Sequence, residues 1–394
     1  MLPPTILATM ATPLTTAYRP WIDERDCGLD EFRAEVTRTT DLADYPHAVD
    51  VRENVLVYRA TPPSDRRALQ AELIHALTDG PGVVVFEGAY SADVVNRASE
   101  AYYAIIEAQR AQGSAAGDHF GKPGANDRIW NAAQKLALHA PDVFAQYYAN
   151  DTIAVISEAW LGPRYQVTSQ VNVVNPGGKQ QVPHRDYHLG FVAQDDLAAY
   201  PAHLHRTSPM LTLQGAVAHG DMPIESGPTM LLPYSQRFLG GYIAFNQPEF
   251  IEYFAEHHVQ VPLRTGDALF FNPALYHGAG TNFSADIRRM ANLLQISSPF
   301  GRAMEALDRT AMVRAVYPAL LSMKAAGVSQ RELHNVVVAT AEGYAFPTNL
   351  DLDQPIGSLA PPSQVDIVLA ALSDGATPEQ LDVALRDQDD GRIP

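Results

Sequence analysis

Apolar positions along the chain change period several times, and each change marks an element. In "RRALQAELIHALTDG", Leu69, Leu73 and Leu77 fall at i, i+4 and i+8 before a glycine, which predicts an amphipathic helix from Arg66. "GVVVFEGAY" reads as a short buried strand from its β-branched run. "SADVVNRASEAYYAIIEAQRAQG" predicts a second helix, with Ser91 as N-cap and Gly113 as its stop. "APDVFAQYYANDTIAVISEAWLG" reads helical as far as Gly162.

The pattern then turns to strands. "YQVTSQVNVV" alternates and stops at a Pro176-Gly177-Gly178 turn; "SPMLTLQGAVAHG", "TMLLPYS", "VQVPLR", "GDALFFNP" and "RRMANLLQISS" follow. Short strands punctuated by Gly and Pro suggest a sandwich or barrel, so the expected class is mainly β with helical additions (α+β). Residues 303–345 return to helical spacing, "NLDLDQPIGSLAPPSQ" looks like a linker, and "SQVDIVLAALSDG" and "TPEQLDVALRDQ" are short amphipathic stretches. The last begins with Thr377 at N-cap, Pro378 at N1 and Gln380 at N3, a capping box; residues 388–394 are expected to fray. The expected division is an N-terminal extension over 1–60 with one strand-like run, "NVLVYRA", a β domain over 61–300, and a C-terminal helical extension over 301–394. The turn-rich "GDHFGKPGAND" reads as a lid or rim, and loops 114–128 and 190–210 as the setters of specificity.

Composition narrows the function classes. A net charge of −17 and a pI near 5.1 argue against nucleic-acid binding and disfavour anionic partners such as membrane surfaces. The single cysteine, Cys27, rules out an internal disulfide and a cysteine-based zinc site. No run is long and apolar enough for a transmembrane helix, and the first residues lack a secretion-signal pattern; a cytoplasmic protein is expected. Oligomeric state is open, a homodimer included, because the C-terminal helices could pack on the core or on a partner subunit.

The candidate chemistry is a split ligand set. His184-Arg185-Asp186 follows the Pro-Gly-Gly turn, and His277 lies far downstream in "GDALFFNPALYHGAGTNFSADIRRM". Two histidines and one carboxylate can occupy one face of an octahedron and leave the rest open, a set suited to non-haem Fe(II) and O2 chemistry. Arg288, eleven residues after His277, could grip a co-substrate carboxylate with its planar fork. Arg289 is adjacent, and on a strand only one of the two points inward.

These residues resemble the phytanoyl-CoA dioxygenase family of Fe(II)/2-oxoglutarate-dependent oxygenases. The likeness runs from about Arg66 to Ser298 and includes "GVVVFEG", "ESGPTMLLPYSQR" and "GDALFFNPALYHGAGTNFSADIRR". It implies a double-stranded β-helix, a jelly-roll or cupin-like core. It also implies iron held by His184, Asp186 and His277, with 2-oxoglutarate chelating the iron and pairing its far carboxylate with Arg288. The reaction it implies is a dioxygenase oxidation of a C–H bond of a small organic substrate, with O2 consumed and succinate and CO2 released. The Asp186 ligand fills the place that halogenases of this superfamily leave for chloride, which favours hydroxylation or desaturation. Two positions depart from the family pattern: Ala279 stands where a serine is usual and Gln236 where a histidine is usual.

Other side chains keep two readings. Gln170 and Asn172 share a strand face and could touch the co-substrate, or simply supply sheet polarity. Thr281 and Asn282 could support His277 or the arginine, or hold a turn. His188 could line the substrate mouth beside Tyr187, and Trp130, Asn131 and Gln134 could reach the pocket, with a core role the more ordinary one for Trp130. His219-Gly220-Asp221 reads as a loop feature, and His203 and His205 as surface residues. Two other function classes compete: a catalytically silent ligand-binding barrel, and a metal hydrolase or isomerase on a cupin-like barrel, which needs no carboxylate fork.

Overall fold

The computed structural model describes residues 20–61, 65–112 and 126–392. Ten strands are present among them: β1 (Asp50–Arg52), β2 (Val55–Arg59), β3 (Val83–Glu87), β4 (Asn126–Ile129), β5 (Gln166–Val174), β6 (Thr212–Ala218), β7 (Met230–Leu232), β8 (Ala268–Phe271), β9 (Tyr276–Gly278) and β10 (Arg289–Ser297). Eight form one sheet in the order β1-β2-β3-β8-β6-β10-β5-β4, antiparallel except for the β2–β3 pair. β7 and β9 pair apart from it, and isolated bridges His184–His277 and Leu231–Val259 widen them into a second, smaller sheet.

Side-chain alternation gives the large sheet two different faces. Val167, Val171 and Val173 of β5, Leu213 and Val217 of β6, and Met290, Leu294 and Ile296 of β10 pack outward against helices in one apolar cluster. The opposite face looks across to the small sheet. At one end the gap is filled by Val83, Val85, Leu269 and Phe271 against Leu231, Val261, Leu263 and Leu275. At the other end the inward positions are polar: Thr168, Gln170 and Asn172 on β5, Gln214 on β6 and Gln295 on β10, in mutual register. Two sheets facing across a half-apolar, half-polar interior make the expected double-stranded β-helix with helices around it.

The C-terminal helices are part of the same body. Val316, Val337, Val368, Leu372 and Leu385 join the cluster that contains β5 and β10. The Thr377 capping box forms as expected, with the hydroxyl accepting from Gln380 N at 3.3 Å, and its helix runs on to Asp390, past the point where fraying was expected.

Several local expectations give way. The stretch to Gly162 is two helices, Pro141–Tyr148 and Asp151–Leu161, because the Asn150 side chain caps the second by accepting from Ile153 N at 3.0 Å. Ser208, Pro209 and Met210 end a helix, Ala202–Met210, so the strand foreseen from Ser208 starts only at Thr212. "VQVPLR" contributes single bridges rather than a strand. The Gly113 stop and most of the turn-rich loop lie outside the described residues; its end forms the edge strand β4. Among the described residues no helix is long and apolar enough to cross a membrane.

Candidate metal centre

His184 and His277 sit opposite each other on neighbouring antiparallel segments. His184 N donates to His277 O at 3.0 Å and His277 N donates to His184 O at 3.3 Å, so both side chains leave the same face and their ring centroids are 4.5 Å apart. Asp186, two residues beyond His184, shares that face by the period-two rule, and its backbone is tied to Pro273 O at 3.1 Å. Nε2 of His184 lies 3.7 Å from Asp186 Oδ1, and Nε2 of His277 lies 3.6 Å from Oδ2. The three ligand atoms are all within 4.8 Å of one another.

The rings are held ready for a cation. Nδ1 of His184 lies 2.9 Å from Val182 O, and Nδ1 of His277 lies 2.9 Å from Leu275 O. A ring nitrogen against a carbonyl must carry the proton, so each Nε2 presents its lone pair to the site. Gln214 Nε2 donates to Asp186 Oδ2 and orients the carboxylate. Burial alone would raise the Asp186 carboxyl, but His184, His277 and Gln214 outweigh it and hold the group well below the usual carboxylate range. Burial lowers the His184 imidazole against the pull of Asp186, which favours the neutral ligand form.

Strand register sends the two adjacent arginines to opposite faces. Arg289 pairs with Val174 and Ala291 with Asn172, so odd-numbered β10 residues share the inner face with Gln295. Arg288 instead turns to the helical side, pairing with Asp127 at 3.3 Å, donating to Asn175 Oδ1 at 3.2 Å and lying over Tyr103. Arg289 is 7% exposed; its Nη1 donates to Ser226 O at 3.0 Å and Gly280 O at 3.3 Å, and no carboxylate among the described residues pairs with it. Burial without an anion pulls its guanidinium down to about 10.

The remaining candidates divide. Gln170 lies on the inner face and accepts from Arg128 Nη2, whose guanidinium stacks on Trp130. Asn172 is beside it, with Oδ1 buried and without a partner among the described residues. The Thr281 hydroxyl accepts from Gln180 N at 3.0 Å, and Asn282 bonds Val174 O and Ile287 O, so both tie loops together. Tyr187 is fully buried in the core, His188 Nε2 bonds Arg302 O at 2.6 Å, and Gln134 accepts from Asp308 N at 2.7 Å. Gln236 donates to Gly80 O at 2.9 Å.

Two histidines differ from expectation. His205 is wholly buried and bonded to Leu197 O at 3.0 Å rather than on the surface. His219 is a buried link between Ser99 Oγ and Tyr147 OH, each at 2.9 Å, rather than a loop feature; only Asp221 has a turn role, accepting from Thr265. Gln214 and Arg128 were missed. The signal for Gln214 was a lone amide on the face that Thr212 and Ala216 share in "TLQGAVA".

A sequence model of the phytanoyl-CoA dioxygenase (PhyH) family matches residues 78–290, just over half of the chain. No curated protein matches at a significant level. Among solved structures the chain is similar to the non-heme alpha ketoglutarate dependent carbocyclase SnoK from nogalamycin biosynthesis, at 19% identity and a TM-score of 0.43, over 61% of this chain and 88% of that one. It is also similar to the epimerase SnoN from the same biosynthesis, at 20% identity and a TM-score of 0.40, over 59% and 84% of the two chains. HygX from Streptomyces hygroscopicus, with nickel and 2-oxoglutarate bound, matches at 17% identity and a TM-score of 0.39, over 60% and 90%. These structural similarities are distant. On the family match, the chain belongs to the phytanoyl-CoA dioxygenase family.

Proposed function

We propose that this protein is an Fe(II)- and 2-oxoglutarate-dependent dioxygenase that oxidises an unactivated C–H bond of a small organic substrate, hydroxylation being the simplest outcome. The observation that carries the reading is a His/Asp/His set on the small sheet, and, on the inner face of the large sheet opposite, a buried guanidinium without a carboxylate partner among the described residues. The donor set fits a ferrous ion: two neutral imidazole nitrogens, one ionised carboxylate and open positions beside them. With 2-oxoglutarate, such an ion supplies O2 activation coupled to decarboxylation to succinate and CO2.

The chain's own residues do the holding. His184 and His277 offer Nε2, and their Nδ1–H bonds to Val182 O and Leu275 O stop the rings from turning. Asp186 stays ionised and is aimed by Gln214. Arg289 takes the far carboxylate of the co-substrate, the role the family spacing would give to Arg288, and Asn172 lies diagonally across the sheet from it. The apolar end of the interior, with Phe271 against His277 at 4.6 Å between ring centroids, keeps water from that side of the site.

The test is succinate formation from 2-oxoglutarate with Fe(II), in the wild type and in His184→Ala. Release that depends on both iron and His184 supports the reading. Metal binding without 2-oxoglutarate turnover would favour a silent barrel or a hydrolase instead.

A further inference from the structure

The residue between the first two ligands faces the other way, and its surroundings are unusual. We infer that Arg185 is a positioning residue, clamping the two ligand-bearing segments together from behind by a cation–π stack and so setting how tightly a metal is held. The inference rests on the metal-site reading.

Alternation sends His184 and Asp186 inward and Arg185 outward; likewise His277 points inward and Tyr276 outward. The Arg185 guanidinium carbon lies 4.5 Å from the Tyr276 ring centroid and 4.7 Å from that of Tyr242. One cation therefore lies against two rings, one of which immediately precedes the third ligand. Ser235 joins the same two residues: its carbonyl accepts from Arg185 Nη2 at 2.7 Å and its hydroxyl accepts from Tyr276 N at 2.8 Å. Arg185 is 1% exposed, and no carboxylate among the described residues pairs with it. A buried cation without an anion is a poor way to fill a core, where an apolar side chain would serve stability as well or better. Its aromatic partners do suit it, because desolvation strengthens the attraction of a cation to a ring face.

Gly241 supports the assignment. A Cβ there would lie 2.6 Å from Arg185 Nη2 and 3.1 Å from both Arg185 Cζ and Tyr276 OH. Gly241 does not adopt a left-handed conformation and sits in a short helix, Gly241–Ala244, where alanine is the better former. The space it leaves is taken by the stacked guanidinium.

The experiment titrates the apo-protein with Co(II), reading affinity and the d–d absorption spectrum, with thermal unfolding of each apo form alongside. Arg185→Met removes the cation and keeps an apolar filler; Gly241→Ala keeps the cation and displaces it. Both should stay folded, bind Co(II) about tenfold more weakly, as expected when support behind metal ligands is lost, and show an altered d–d band. If Arg185→Met does not fold, Gly241→Ala carries the test. Wild-type affinity and spectrum in the folded variants would overturn the clamp alone. A folded wild type that binds no Co(II) would overturn the metal reading beneath it.

Discussion

Removing the Arg289 guanidinium tests the co-substrate assignment and separates it from its neighbour. Arg289 is buried, is held among the described residues by the Ser226 and Gly280 carbonyls, and has a guanidinium pulled down to about 10, yet remains charged at neutral pH. An incoming carboxylate would meet a cation already stripped of water, and removing one partner of such a pair typically costs about 3 to 5 kcal/mol. At about 1.4 kcal/mol per decade, the low end predicts that Arg289→Ala weakens 2-oxoglutarate binding by at least about 100-fold. Arg288 is half exposed and pairs with Asp127, so Arg288→Ala should change that affinity by less than about threefold. The assay is calorimetric titration of the Mn(II)-loaded protein with 2-oxoglutarate. An Arg289→Ala protein that binds like wild type, with the loss appearing in Arg288→Ala, would refute the assignment from strand register.

Other expectations follow from the same contacts. Gln214→Leu leaves Asp186 Oδ2 without its donor and should weaken Mn(II) binding by about tenfold, measured by calorimetry. His219 is held neutral by burial, its pKa falling from 6.5 to about 3. The unfolded chain therefore takes up the proton first, and stability is lost as pH falls below about 6.5. At pH 5, one and a half units below that value, the loss is about 2 kcal/mol at 1.36 kcal/mol per unit, and it should disappear from urea-unfolding curves of His219→Gln. Asn150→Ala removes the cap on Ile153 N and the bond to Ala89 O, and should lower unfolding stability by about 1 to 2 kcal/mol in the same assay.

The grouping of His184, Asp186 and His277 was legible because it is carried by residue types at fixed places: a His-x-Asp pair whose members alternate onto one face, and a histidine after an apolar run. Which of Arg288 and Arg289 faces inward was not, because an eleven-residue count from His277 fixes a distance along the chain and not a face. The face is set by the pairing of Arg289 with Val174, a contact with a strand more than a hundred residues away in sequence. His205 and His219 were misplaced for a similar reason. Ser99 and Tyr147, which receive His219, come from two helices, Ala92–Ala111 and Pro141–Tyr148, whose meeting at this histidine leaves no local trace. The break at Asn150 was visible in principle, since Asn-Asp after a helical run is a capping signal, but the continuing apolar period masked it.

The most direct measurement is the stoichiometry and affinity of Fe(II) binding under anaerobic conditions, for the wild type and for Asp186→Ala and His277→Ala. The account predicts one ferrous ion per chain in the wild type, and binding lost in both variants while circular dichroism shows them folded. A folded Asp186→Ala protein that binds one ferrous ion per chain as tightly as the wild type would contradict it.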